Sequence, residues 1–184
     1  MLKKAWLWSK DSPNTAGIEA AVFKGKKVVI RPKRLDDASD DYSWRTDTEL
    51  SMLDAARPIR MDYNEFVRFS QEELKHSPAN SWKLAIDTLD GRHIGNCMCY
   101  DIDLKRGSAE LGIMIGDREY WDKGYGTDSV DSLLTLIFST TSLNRVYLHT
   151  LEWNQRARKS FTKAGLRDVK IIRRSNLDFV LMEI

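Results

Sequence analysis

The sequence predicts an α/β protein, a mixed sheet of about seven strands flanked by about four helices. Three observations carry that expectation. Apolar runs that read as strands alternate with amphipathic runs that read as helices, in the order β-αα-βββ-α-β-α-ββ. In the clearest helix, Val130, Leu133, Leu134, Ile137 and Phe138 recur at i, i+3, i+4, i+7 and i+8 along one face. In the clearest hairpin, the runs 82–88 and 93–101 are joined through Leu89-Asp90-Gly91-Arg92, with Asp90-Gly91 as the turn signal.

Taken in order, residues 27–31 read as a strand and 35–46 as a helix after the turn at Pro32. Asp62 caps a second helix over 63–75, which ends before Pro78. The hairpin follows, then a turn at Lys105-Arg106-Gly107 and a strand over 108–115. A helix over 124–139 and a strand over 145–152 come next. Asn154 caps the last helix, 155–164, and Gly165 stops it. Strands over 167–173 and 179–184 close the chain around an Asn176 turn. Residues 1–25 read as an arm, loosened by Pro13, Asn14 and Gly17, with Trp6 and Trp8 able to dock on the body; residues 26–184 read as one domain.

Length and composition bound the function. A chain of 184 residues supports one real core, and 42% hydrophobic with 30% charged residues is ordinary for a soluble enzyme. A net charge of +2, with no basic stripe interleaved with aromatics, gives no reason to expect a nucleic-acid or membrane partner. No apolar run approaches the ~20 residues of a membrane span. The start, Met1-Leu2-Lys3-Lys4-Ala5-Trp6-Leu7-Trp8, is too short in apolar residues for a signal sequence, so the expected location is the cytoplasm. Cys97 and Cys99 share a strand face without a C-x-x-C spacing or a His cluster, which predicts buried free thiols and no metal.

The chemistry concentrates in Tyr120-Trp121-Asp122-Lys123-Gly124-Tyr125-Gly126-Thr127, between the strand ending at Ile115 and the helix that carries Val130. A glycine-rich turn feeding a helix is an anion site: first-turn N–H groups lack partners, and the dipole adds roughly half a positive charge. Lys123 adds a cation beside them. A nucleoside-triphosphate loop needs Lys-Ser/Thr after its last glycine, but Thr127-Asp128 follows Gly126. A dinucleotide fold needs a third glycine where Ser129 stands.

A second block supplies the rest: Asn154-Gln155-Arg156-Ala157-Arg158-Lys159-Ser160-Phe161-Thr162-Lys163-Ala164-Gly165-Leu166. The two blocks together resemble the GNAT superfamily of acetyl-coenzyme-A-dependent N-acetyltransferases. The first is similar to its Arg/Gln-x-x-Gly-x-Gly/Ala pyrophosphate loop, and the second to its Asn-x-x-Ala-x-x-x-Tyr/Phe-x-x-x-Gly-Phe signature. With Val28-Val29-Ile30-Arg31-Pro32 and Asp41-Tyr42-Ser43-Trp44-Arg45-Thr46-Asp47 added, the chain resembles the branch of ribosomal-protein alanine and bacterial spermidine N-acetyltransferases.

The resemblance implies a mostly antiparallel sheet with splayed central strands and acetyl-CoA as acetyl donor. It implies that the backbone of Ile113, Met114 and Ile115 pairs with the pantetheine arm. The amides around Lys123, Gly124, Tyr125, Gly126 and Thr127 hold the pyrophosphate, and Arg158 approaches the 3′-phosphate side. Asn154 reaches the pantetheine amide or the sulfur end besides capping its helix. The sequence departs from the pattern in three places. Trp121 stands at the Arg/Gln position, Asp122 where glycine is frequent, and Phe161 where a tyrosine protonates the leaving thiolate in many members. Water or Ser160 then substitutes, or the thiolate leaves unassisted, which a free-thiol pKa of about 8.5 permits.

Glu110 is the candidate general base, with a cross-strand pair to Arg92 or Lys105 as its structural alternative. His149 is the second candidate, with a satisfied structural histidine as its alternative. The expected acceptor is a primary amine. A protein α-amine has a pKa near 8, about two units below a lysine or polyamine amine, and is the easier acceptor without a strong acid or base. A polyamine or aminoglycoside remains the alternative, because Asp40, Asp41, Asp47, Glu49 and Asp54 give the front segment many carboxylates. A non-catalytic acyl-CoA-binding module is the alternative from another class, and a homodimer through the C-terminal strands or an exposed Trp surface is a further expectation.

Overall fold

The computed structural model describes residues 22–76, 78 and 80–184. Its strands are β1 (Phe23–Lys24), β2 (Val28–Pro32), β3 (Trp82–Thr88), β4 (His93–Asp103), β5 (Ser108–Ile115), β6 (Arg145–Leu151), β7 (Arg167–Arg174) and β8 (Leu177–Glu183). They form one sheet in the order β1-β2-β3-β4-β5-β6-β8-β7. Every neighbouring pair is antiparallel except β5 and β6, which run parallel. The helices are α1 (Ala38–Thr46), α2 (Thr48–Leu53), α3 (Tyr63–Lys75), α4 (Tyr125–Thr140) and α5 (Gln155–Lys163).

Strand alternation divides the sheet into two faces. Ile30, Leu84, Ile86, Cys97, Cys99, Leu111, Val146 and Leu148 point one way and are buried with Val130, Leu133 and Ile137 of α4. The residues between them point the other way, toward the face covered by the front helices: the Asn96 amide donates to Asp41 of α1 at 2.6 Å. Trp44 of α1 reaches the end of β5, where Gly116 admits it; a Cβ at Gly116 would lie 2.1 Å from the indole. Cys97 and Cys99 are free and buried, and burial pushes the Cys99 thiol up to about 12.

The helix boundaries follow from local chemistry. Asp62 accepts from Glu65 N–H at 2.9 Å while Glu65 accepts from Asp62 N–H at 3.1 Å, a reciprocal cap that starts α3 where expected. The helix expected over 35–46 opens instead as a 3-10 turn, Leu35–Asp37, before α1. Asp37 is pinned to the sheet by Arg31 and accepts Arg34 N–H at 2.8 Å, which tightens that turn. The six-residue α2 is an addition to the expected helices. It is too short to show a period, but Asp47 caps it by accepting Leu50 N–H at 2.9 Å.

Strand β1 lies inside the stretch read as an arm, so the folded unit begins before residue 26: Phe23 pairs with Ile30 and Lys24 with Val29. The docking expected of Trp6 and Trp8 falls outside the described residues. The turn after β1 is held by Asp128 of α4, a buried carboxylate that accepts the N–H groups of Lys26, Lys27 and Val28 at 3.2, 2.7 and 3.1 Å. Asp128→Ala is expected to lower stability by about 1–3 kcal/mol, seen as a lower denaturant midpoint. Asp128→Asn, which keeps one acceptor, should lose less.

Candidate active site

The parallel pairing of β5 with β6 is three residues long: Ser108 with Arg145, Ala109 with Val146, Glu110 with Tyr147. Beyond Glu110 the strands part, while the other edge of β5 stays paired to β4 as far as Ile115. The stretch 111–115 therefore turns an unpaired backbone edge into the gap. At the open end of that edge lies a cleft of about 240 Å³. Its walls come from the end of β5, the loop before α4, α5, and Leu50, Leu53 and Asp54 at the end of α2.

The loop brings the α4 amides to this cleft. Gly124 caps α4 with φ 86°, a left-handed conformation that favours glycine. The first hydrogen bond of the helix runs from Asp128 N–H to the Gly124 carbonyl at 3.0 Å. The N–H groups of Tyr125, Gly126 and Thr127 precede it, as first-turn donors without intrahelical acceptors. A side chain at Gly126 would start 3.3 Å from the Ser160 hydroxyl, so glycine keeps the floor of the cleft open. Ser160 itself hydrogen-bonds Thr127 at 3.0 Å across α5 and α4. Phe161 is buried in the core, with an edge on the cleft.

Trp121 gates one side. Its indole N–H donates to the Ile115 carbonyl at 2.7 Å, the Arg156 guanidinium stands 3.4 Å from its ring centroid, and that of Arg118 stands 5.4 Å away. Arg118 in turn pairs with Asp47 at 2.9 Å and Glu49 at 2.7 Å. A chain of contacts thus joins α2 to α5 through the tryptophan that departs from the loop pattern. Asp122 lines the cleft, held in a left-handed turn at φ 56°.

Of the residues singled out from sequence, Ile113, Met114, Ile115, Trp121, Gly124, Gly126, Thr127, Asn154, Ser160 and Phe161 line the cleft. Asn154 also caps α5, accepting Ala157 N–H at 3.2 Å. Lys123 and Tyr125 contribute backbone to the loop, not side-chain walls. The Tyr125 ring packs edge-on to Tyr120 at 4.9 Å, beneath the Lys27 ammonium. Arg158 is not brought to the cleft: its guanidinium donates to Asp168 at 2.6 Å and to the Glu152 carbonyl at 3.1 Å. Arg156, Lys159 and Lys163 supply the cations there instead. The helical period held that signal, since 156, 160 and 163 share a face of α5 from which 158 is turned away. Leu50 and Leu53 were missed with α2 itself, whereas Asp54 is one of the front-segment carboxylates named from sequence.

Glu110 lies at the vertex of the gap, on the sheet face opposite α4. It pairs with neither Arg92, which holds Asp117 at 2.7 Å, nor Lys105. Its Oε1 is 2.7 Å from His149 Nδ1, and it accepts the Tyr100 hydroxyl. Burial first, then that bond to the carboxylate, hold the Tyr100 phenol protonated well above its ordinary range. The second candidate base is therefore bonded to the first. Among the described residues no group of His, Cys, Asp or Glu is arranged to hold a metal ion, and no helix is long and apolar enough to cross a membrane.

A splayed parallel seam beside a glycine-started helix is the arrangement expected of the acetyltransferase class. Residues 27–167 match the acetyltransferase (GNAT) domain family, and the chain belongs to it. It is an N-acetyltransferase of the GNAT type. It is 25% identical to the uncharacterized N-acetyltransferase p20 of Bacillus licheniformis, over 77% of this chain and 82% of that protein. Its fold is similar to the spermidine N-acetyltransferase of Vibrio cholerae solved with CoA and spermine, with TM-score 0.74 and 17% identity over 85% of this chain and 94% of that one. It is equally similar to Mycobacterium smegmatis RimJ solved with CoA-disulfide, with TM-score 0.73 and 18% identity over 90% and 87%.

Proposed function

We propose that this chain transfers an acetyl group from acetyl-CoA to a primary amine, and that the acceptor is a protein N-terminal α-amine. One observation carries the reading: the β5 edge at 111–115 lies open in the sheet and leads straight to the free amides of α4. An extended amide-bearing arm fits such an edge, and a pyrophosphate fits such amides. Arg156, Lys159 and Lys163 suit the remaining phosphate. The coenzyme supplies an acetyl group activated as a thioester.

The chain's own residues supply the rest. Glu110 takes a proton from the substrate ammonium, which leaves a neutral amine and a carboxylic acid. The amine lone pair then forms the C–N bond, the C–S bond breaks with its electrons on sulfur, and the second proton, left on the new amide nitrogen, passes to water in the open cleft. Phe161 has no proton to give, so the thiolate departs unprotonated, at a free-thiol pKa of about 8.5. The Ser160 hydroxyl, on the cleft wall beside Thr127, is the side-chain donor that remains.

The charge pairing of the front segment supports an α-amine over a polycation. Asp41 is taken by Lys33, Asp47 and Glu49 by Arg118. Of the five front carboxylates only Asp54 both lines the cleft and forms no ion pair among the described residues. The protein around Asp54 raises its carboxyl above the ordinary value against the opposing charge of Arg45. A single carboxylate suits one ammonium group rather than a chain of them.

Acetyl-CoA at a hundred times its Kd should stabilise the fold by about 2.7 kcal/mol, read as a rise in Tm. Thiol release should be fastest with peptides bearing a free α-amine. Faster release with spermidine or an aminoglycoside overturns the acceptor assignment. Stabilisation without thiol release for any amine leaves coenzyme binding alone.

A further inference from the structure

The partners of His149 fix more than its position. Nε2 lies 3.3 Å from an Arg174 guanidinium nitrogen, and Nδ1 lies 2.7 Å from Glu110 Oε1. A guanidinium only donates, so Nε2 carries the lone pair and accepts. Nδ1 then carries the proton and donates to Glu110. That is the neutral Nδ1–H tautomer, and it leaves Glu110 as the anion that accepts. The Glu110 and His149 side chains are 13% and 10% exposed, so water competes little for the bond between them, while the Arg174 contact at Nε2 lies at the surface. Arg174 reaches them from the last position of β7, beside the tight turn in which Ser175 and Asn176 both have positive φ.

We propose that Arg174 and His149 are positioning residues for Glu110: Arg174 fixes the Nδ1–H tautomer, and that N–H holds the Glu110 carboxylate at the vertex of the gap. The assignment rests on the reading of Glu110 as base. His149 is not a proton carrier in this arrangement. A second proton would have to enter at Nε2, against the Arg174 cation. The proton that Glu110 takes from the amine leaves by the cleft. The charged and titratable groups around the dyad are Tyr100 and Asp101 on β4, Tyr147 and Arg145 on β6, Arg174 on β7 and Glu183 on β8. Tyr147 packs edge-on to the imidazole at 5.9 Å, and Arg145 is held by Glu183. Arg174 is the cation that touches the imidazole.

The tautomer is read directly by nitrogen NMR of histidine-labelled protein near neutral pH, with the His149 signals assigned by their loss in His149→Ala. A neutral Nδ1–H imidazole is expected. An Nε2–H imidazole or an imidazolium overturns the proposal whatever the activity. In Arg174→Met the same ring should no longer be held as the single Nδ1–H tautomer, and an unchanged tautomer also overturns the part given to Arg174. In kinetics, His149→Ala should lower kcat about tenfold at unchanged KM for acetyl-CoA. His149→Asn, whose amide N–H replaces Nδ1–H, should restore part of the rate. A rate loss with no rescue by asparagine means a packing role only. If Glu110→Gln retains full activity, Glu110 fails as base, and the NMR result still stands or falls alone.

Discussion

Glu110→Gln is expected to reduce kcat/KM for the amine by about 10²–10⁴-fold, with coenzyme binding nearly unchanged. Glutamine keeps the length and the carbonyl oxygen that Tyr100 and His149 donate to, so the vertex of the gap stays filled. What it lacks is a site of adequate basicity for the ammonium proton. On the proposed reading the coenzyme meets other residues: the 111–115 edge, the α4 amides and the α5 cations. A steady-state thiol assay and a coenzyme titration of Tm therefore separate chemistry from binding. Parent-like turnover in the variant sinks Glu110 as base, and equal loss of binding and turnover assigns it a structural part.

The largest stability effect is expected at Asp87. Arg31, buried at the junction of β2 and β3, donates to Asp87 at 2.6 and 2.8 Å, to Asp37 at 3.0 and 2.7 Å, and to the Pro32 carbonyl at 3.0 Å. Asp87→Ala leaves half the guanidinium without acceptors and out of reach of water. Loss of one partner of a buried ion pair is worth about 3–5 kcal/mol, a large part of the stability of a domain this size. Urea unfolding of the variant measures it, and a loss under about 1 kcal/mol contradicts the burial described.

The same cluster sets an acid limit. Burial by itself would raise the Asp37 carboxyl; the Arg31 and Arg34 donors and the charge of Lys33 outweigh it and bring it from 3.8 to about 2. A depressed folded pKa gives stability that is complete above the unfolded value and lost as pH falls through the folded one. Asp37 thus contributes about 2 kcal/mol at neutral pH, released between roughly pH 4 and pH 2. Asp37→Asn should show a flatter stability curve across that interval.

Much of the fold was legible because its signals are local. The α3 cap at Asp62, the Asp90-Gly91 turn, the Gly124 start of α4 and the Asn154 cap of α5 each depend on a few adjacent residues, and each stands where it was read. The misses are of another kind. The six residues of α2 complete less than two turns, so no period separates helix from loop there. The two-residue β1 is a strand only because Asp128, a hundred residues away, holds the following turn.

The site divides the same way. Its glycine loop before α4 is contiguous, and its place on the cleft could be read. The partners of Glu110 are Tyr100, His149 and, through the imidazole, Arg174; no spacing rule joins β4, β5, β6 and β7 at one point. Sequence offered Arg92 and Lys105 because they are near in the chain, and the strand register chose otherwise. Arg158 was taken from the family resemblance, whereas the turn of the helix is what brings Arg156 to the cleft.

The three-residue seam between β5 and β6 makes this a sheet with a rung left out of its ladder. On the proposed reading, donors and acceptors that other strands spend on each other are kept here for a guest, apart from the Ile115 carbonyl that Trp121 holds. On that view the donor molecule is a temporary ninth strand. The architecture's least complete place is then also its receptor.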